Sequence, residues 1–245
     1  MSSKGFGRGR DGVYRDPIPR GVLVRLAIAA AALLCLLGFA VVRACGRGEE
    51  PVQAPQPASI SCVGDSITFG FGLSNRDATC WTELLPGLLD DGSTTANFGV
   101  TGSCALRDGA YPWIRTALAY RFWESEEDIV ILMLGTNDVC DGRWDAAEFE
   151  RDYAELVADI QAKPSSPQVF VMIPPAIYAS PDLDARLVEE AAPAIERVAE
   201  EAGATVIDLH ALTAGHPEWL PDGIHPNEEG NEAIAELIAE VLEKR

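Results

Sequence analysis

Gly64-Asp65-Ser66-Ile67-Thr68 closes an apolar-leaning run from Ala58 to Val63. A short run of strand formers ended by a glycine reads as a buried strand breaking into a turn, so Ser66 stands at the carboxyl edge of a sheet. Open α/β sheets bind their ligands at that edge. A serine there is a candidate nucleophile for acyl transfer if a neutral imidazole, a carboxylate to hold its tautomer and preorganised oxyanion donors reach it from elsewhere in the chain. Three histidines are available, His210, His216 and His225. His225 follows Asp222 by three residues in Pro221-Asp222-Gly223-Ile224-His225-Pro226, so one turn carries both a base and its orienting acid. His216 precedes a proline in a loop with no carboxylate motif around it, and His210 sits at a strand end; both read as structural.

Oxyanion donors must be fixed before charge develops. The candidates are the backbone N–H of Ser66, the N–H of Gly102 in Gly99-Val100-Thr101-Gly102, and the side-chain amide of Asn137 in Gly135-Thr136-Asn137-Asp138. Glycine lets a backbone donor approach a substrate without a Cβ between them, and asparagine donates without adding charge. Singly, Gly102 is also a turn glycine and Asn137 an Asx turn. Asp/His pairs also bind zinc, but no third ligand stands at a familiar spacing, and neither metal nor cofactor is expected.

The elements that would position these groups alternate. Strands are expected at Ser59–Val63, Thr94–Phe98, Ile129–Leu134, Val169–Ile173 and Thr205–Asp208, with helices at Trp81–Leu89, Pro112–Trp123, Ala146–Ala162, Leu183–Ala202 and Glu228–Leu242. That is the pattern of an α/β protein with a five-stranded parallel sheet covered on both faces. Pro193 interrupts the fourth helix, which is expected to restart there. The first three strands each end in a turn carrying candidate residues, and all three turns emerge at one sheet edge.

Gly64-Asp65-Ser66, Asn97-Phe98-Gly99-Val100-Thr101-Gly102, Gly135-Thr136-Asn137-Asp138 and Asp222-Gly223-Ile224-His225-Pro226, in this order, resemble the blocks of the SGNH hydrolases, also called the GDSL esterase and lipase family. The resemblance runs from about Ile60 to Leu242. It implies a three-layer α/β/α, flavodoxin-like sandwich, with Ser66 as nucleophile, His225 as base, Asp222 as its orienting acid, and Ser66, Gly102 and Asn137 as the oxyanion hole. Ser103-Cys104 departs from the Asp-Thr that many relatives carry after the second block. The sequence is similar to members called carbohydrate or sialate O-acetylesterases and to lysophospholipase-like ones, which the motifs do not separate.

No insertion is long enough to form a lipase lid, so a small acyl group is expected, acetyl on carbohydrate first. A lipase, lysophospholipase or thioesterase, an O-acyltransferase using the same serine, and a non-catalytic glycan-binding module are the alternatives. Phe69, Phe71, Trp81, Tyr111, Trp113, Trp144 and Tyr178 stand around the motifs, and two or three of them are expected to touch substrate.

Residues 1–47 hold eight Lys/Arg against two Asp/Glu, leaving eleven against thirty-six in the remainder. The acidic remainder repels nucleic acid, which is not an expected partner. Residues 1–20 read as a disordered basic cytoplasmic tail and 21–43 as a transmembrane signal anchor, since Leu26 to Val42 is a run of seventeen uncharged residues. Six basic residues precede that run and two follow closely, which places the catalytic part outside the cytoplasm. Residues 44–57 form a Pro-rich linker and 58–245 the hydrolase domain. The alternative is export with cleavage near Cys45, giving a secreted protein or lipoprotein. Exported domains keep disulfides, and Cys104 and Cys140, each just beyond an oxyanion block, are the expected pair, with Cys80 an alternative partner.

Overall fold

Alternation within the strands decides the layering. In the central strand Ile129–Met133, Ile129, Ile131 and Met133 join one buried cluster while Val130 and Leu132 join the other, so both faces are apolar. A sheet buried on both sides must be covered on both sides, and parallel strands joined by crossover helices supply that cover. The computed structural model describes residues 56–244. In chain order the elements are β1 (Ser59–Gly64), α1 (Ser66–Phe69), α2 (Arg76–Thr79), α3 (Trp81–Leu89), β2 (Thr94–Gly99), α4 (Ala117–Trp123), β3 (Ile129–Met133) and α5 (Thr136–Val139). There follow α6 (Ala146–Gln161), β4 (Gln168–Ile173), α7 (Pro181–Arg186), α8 (Ala192–Ala202), β5 (Thr205–Asp208), α9 (Leu209–Thr213) and α10 (Glu228–Leu242).

All five strands are parallel, in the order β2-β1-β3-β4-β5. Phe122, Phe149, Tyr153, Ile195 and Val198 from α4, α6 and α8 cover one face. Trp81, Leu85, Ile234, Ile238 and Leu242 from α3 and α10 cover the other. The three-layer α/β/α expectation therefore holds. Because β2 and β3 flank β1 on opposite sides, the chain switches direction at β1, and a crevice opens beyond the carboxyl ends of β1 and β3. The register sets Gly64 beside Gly99 on one side and Met133 on the other, so the turns after β1, β2 and β3 leave the sheet at one level.

Two helices differ from expectation. The stretch expected as one helix over Pro112–Trp123 is a 3₁₀ turn, Trp113–Arg115, then α4; Thr116 is extended between them, and its side chain caps α4 by accepting from the Ala119 N–H at 3.1 Å. The fourth helix restarts where expected, α8 beginning at Ala192 with Pro193 in its first turn; what differs is how the two parts are joined. A π turn at Leu187–Ala191 joins α7 to α8, and its wider i→i+5 bonding accommodates the missing proline N–H without a break. The basic tail, the apolar run and nearly all of the linker lie outside the described residues. Among the described residues no helix is long and apolar enough to cross a membrane.

Candidate active site

Ser66 is the first residue of α1, directly after the turn from β1, and is almost fully buried. The turn is tight because Gly64 has no side chain: a Cβ there would lie 2.1 Å from Thr68 Oγ1 and 2.7 Å from the Met133 carbonyl. Asp65 caps α1 by accepting the Ile67 N–H at 2.9 Å. The Ser66 Oγ lies 2.9 Å from His225 Nε2, although 159 residues separate them.

His225 sits in the loop before α10 and is fixed from several sides. Its Nδ1 is 2.7 Å from Asp222 Oδ2, while Asp222 Oδ1 accepts the backbone N–H of His225 at 2.7 Å and of Ile224 at 2.9 Å. Asp222 is about half exposed; the desolvation it does undergo would raise its pKa, but these hydrogen bonds, led by the His225 N–H, outweigh that and hold it below the usual carboxylate range. Buried Asn231 ties the loop down, donating to the Pro226 carbonyl at 2.9 Å and accepting the Trp81 N–H at 3.0 Å. The Phe71 ring packs on the imidazole with centroids 4.7 Å apart. A serine hydroxyl, an imidazole and a carboxylate in this series can move a proton from Oγ to Nε2 with the ring held in one tautomer.

Gly102 lies in the turn after β2 with φ +80°, a conformation that favours glycine, and the space where a Cβ would project is open. Ser103 secures this turn: its Oγ donates to the Gly64 carbonyl at 3.2 Å, and its own carbonyl accepts from Asn137 Nδ2 at 2.9 Å. The departure from the family pattern at Ser103 thus ties three turns together. Asn137 Nδ2 makes a second, longer contact of 3.3 Å to Asp65 Oδ2.

Two further residues inside the sequence blocks, beyond the expected site residues, hold the site together. Asp65 and Asp138 are both fully buried beneath these turns. Burial pushes Asp65 from 3.8 up to about 7, against the Ile67 N–H and with a further rise from the Asp138 charge. Burial likewise raises Asp138 to about 6, although it accepts the N–H groups of Ala105 and Leu106 at 2.9 and 2.8 Å. Asp138 thereby anchors the segment after Gly102 to the turn that carries Asn137. The signal available in the sequence was an acid adjoining each candidate, Asp65 before Ser66 and Asp138 after Asn137.

The expected Cys104–Cys140 disulfide does not form: both cysteines are free. Cys104 is buried with its Sγ 3.6 Å from the Leu106 carbonyl, whereas Cys140 is exposed at the end of α5; adjacent loops do not make adjacent thiols. Cys80 is also free and buried. His210 pairs with Asp184 at 3.1 Å, and His216, expected to have no carboxylate partner, pairs with Glu218 at 2.9 Å while stacking on Trp219. Among the described residues no group of three or more His, Cys, Asp or Glu is placed to hold a metal ion.

A model of the GDSL-like lipase/acylhydrolase family matches residues 62–233. The chain is similar to an acetylxylan esterase of Xylanibacter ruminicola, 31% identical over 225 residues and covering 80% of this chain. It spans about half the length of that curated relative, 46%. In three dimensions it is similar to an acetylxylan esterase from Geobacillus stearothermophilus, with a TM-score of 0.61 and 18% identity over 78% of this chain and 96% of that one. A carbohydrate acetylesterase from Sinorhizobium meliloti matches with a TM-score of 0.60 and 21% identity over 75% of this chain and 97% of that one. At these identities the structural likeness speaks for the fold alone.

Proposed function

Because the chain belongs to the GDSL-like lipase/acylhydrolase family of serine ester hydrolases, we propose that it removes small acyl groups, acetyl first, from carbohydrate through an acyl-enzyme on Ser66. The observation that carries this reading is the continuous series Ser66 Oγ to His225 Nε2 to Asp222 Oδ2, at 2.9 and 2.7 Å. In the first half-reaction His225 Nε2 takes the hydroxyl proton as Ser66 Oγ bonds to the ester carbonyl carbon. The carbonyl π pair moves onto oxygen, and its collapse expels the alcohol oxygen, which leaves with the proton from Nε2. In the second, water gives a proton to Nε2, attacks the acyl carbon, and the acid departs as Ser66 Oγ recovers its proton.

The oxyanion is received by the Ser66 and Gly102 N–H groups and by Asn137. Asn137 keeps its 2.9 Å bond to the Ser103 carbonyl, and the hydrogen on the longer 3.3 Å contact to Asp65 is the one that turns to the substrate. Carbohydrate as the alcohol portion is favoured by the acetylxylan esterase among the relatives. Short acyl chains are favoured by loops too short to build a lid. The seventeen-residue uncharged run at Leu26 to Val42, with its basic flank, supports anchoring in the cell membrane with the catalytic part outside the cytoplasm.

A fluorophosphonate probe tests the nucleophile: the native protein should be labelled and Ser66→Ala should not, and an adduct mapped to another serine would remove Ser66 from the mechanism. Esters of increasing acyl length test the acyl preference, with kcat/KM expected to fall from acetyl to decanoyl; a rise would favour the lipase reading. Protease added outside the cytoplasmic membrane should digest the domain and spare an epitope at the amino terminus, whereas a free domain beginning near Cys45 would show cleavage instead.

A further inference from the structure

A cavity of about 340 Å³ opens against the His225 ring, lined by Phe71, Gly72, Pro221, Asp222, His225 and Glu228, among others. Its size falls at the lower end of small-molecule pockets, which run from roughly 300 to 1,000 Å³. Phe71, 45% exposed, supplies an apolar wall beside the imidazole. The cavity's place relative to the proton relay says which part of an ester would occupy it. His225 Nε2 must hand its proton to the leaving oxygen, so the alcohol portion lies on the histidine side, while the carbonyl oxygen points to Gly102 and Asn137.

Beside His225 and Asn227, the polar groups of this cavity are two carboxylates. Asp222 and Glu228 both line it, and among the described residues no lysine or arginine does. Glu228 is fixed by the Ser74 hydroxyl at 3.0 Å; its own backbone N–H and that hydroxyl hold its carboxyl below the usual range, so it stays ionised with Asp222 at neutral pH. The amino terminus of α10 also opens here, an end that ordinarily favours anions. The Asn227 side chain takes the Gly230 N–H at 3.0 Å, and Glu228 and Glu229 occupy the first turn, so the negative charge suited to this helix end is already supplied by the chain.

We propose that this cavity seats the alcohol portion of the ester and selects neutral or amino-bearing sugars over anionic ones such as uronates, sialates and phosphate-bearing lysolipids. The proposal rests on the esterase reading of Ser66 and narrows its substrate class. Two carboxylates within a few ångströms of a third negative charge, at the effective dielectric of a partly open site, set a discrimination of about tenfold or more.

The test compares kcat/KM of the full-length protein on three acetylated methyl glycosides: a neutral xyloside, a glucosaminide with a free amine, and a glucuronide. The neutral and amino sugars should exceed the glucuronide by about tenfold at low salt, and the ratio should narrow both at high salt, where the Debye length shrinks to roughly 3 Å at 1 M, and in Glu228→Gln. Equal turnover of the glucuronide, or a ratio indifferent to both salt and Glu228→Gln, would overturn the proposal. Titrating the three unacetylated glycosides while following resonances of His225 and Phe71 reads the same order without turnover. If no ester is cleaved the esterase reading falls, and the binding order alone decides the charge selection of the cavity.

Discussion

Asp65 is the residue at which stability and the proposed chemistry pull in opposite directions, and replacing it with asparagine should show this. The carboxyl is fully buried, and its pKa rises from 3.8 to about 7. Between those values the folded protein binds a proton that the unfolded chain has released, so native stability falls as pH rises through the window and levels off above about pH 7. At 1.36 kcal/mol for each tenfold change in proton affinity, the whole shift amounts to about 4 kcal/mol, of which about 3 kcal/mol accrues between pH 4.5 and pH 8. Asp65→Asn keeps an oxygen for the Ile67 N–H and removes the titration. Its new amide faces Asn137 Nδ2, donor against donor, at a cost of about 1–3 kcal/mol at every pH. That offset cancels in the comparison across pH.

Urea unfolding of the native and Asp65→Asn proteins near pH 4.5 and pH 8 should therefore give a difference in unfolding free energy that moves by about 3 kcal/mol in favour of the variant as pH rises. Parallel profiles would refute the assignment of a buried, proton-holding carboxyl at this position. The same variant should have lower kcat, because the displaced Asn137 amide is the one proposed to meet the oxyanion. A variant with both altered pH dependence and undiminished kcat would separate Asp65 from the site chemistry.

Asn137→Ala should lower kcat by about 10²–10³, corresponding to about 2.7–4 kcal/mol of transition-state stabilisation, with little change in KM; loss of stability at normal kcat would make Asn137 a turn residue only. Asp222→Asn should leave the fold intact and lower kcat/KM by about 10²–10³, less than the roughly 10⁴ found where a triad aspartate is buried, because the Asp222 side chain is 52% exposed and water can partly replace it. An unchanged kcat/KM would show that the loop backbone alone orients His225.

The five strands, the longer helices and the blocks at the strand ends were legible in the chain, because all are written in short-range patterns. The helices at Trp81–Leu89 and Glu228–Leu242 and the strand at Thr205–Asp208 fall where periodicity and flanking turn residues put them. Strand-like runs alternating with helical ones are the pattern of a parallel sheet covered on both faces, so the α/β layering was legible too. Tertiary structure decided what depends on direction and distance. The register of Gly64 with Gly99 and Met133 brings three turns to one level, and only there does Asn137 find the Ser103 carbonyl and Asp65. The burial of Asp65 and Asp138, and hence their raised pKa values, follows from the turns stacked over them, which no local pattern encodes. The same limit explains the unpaired Cys104 and Cys140: spacing places two loops side by side, while the direction of each thiol is set by the packing of its own turn.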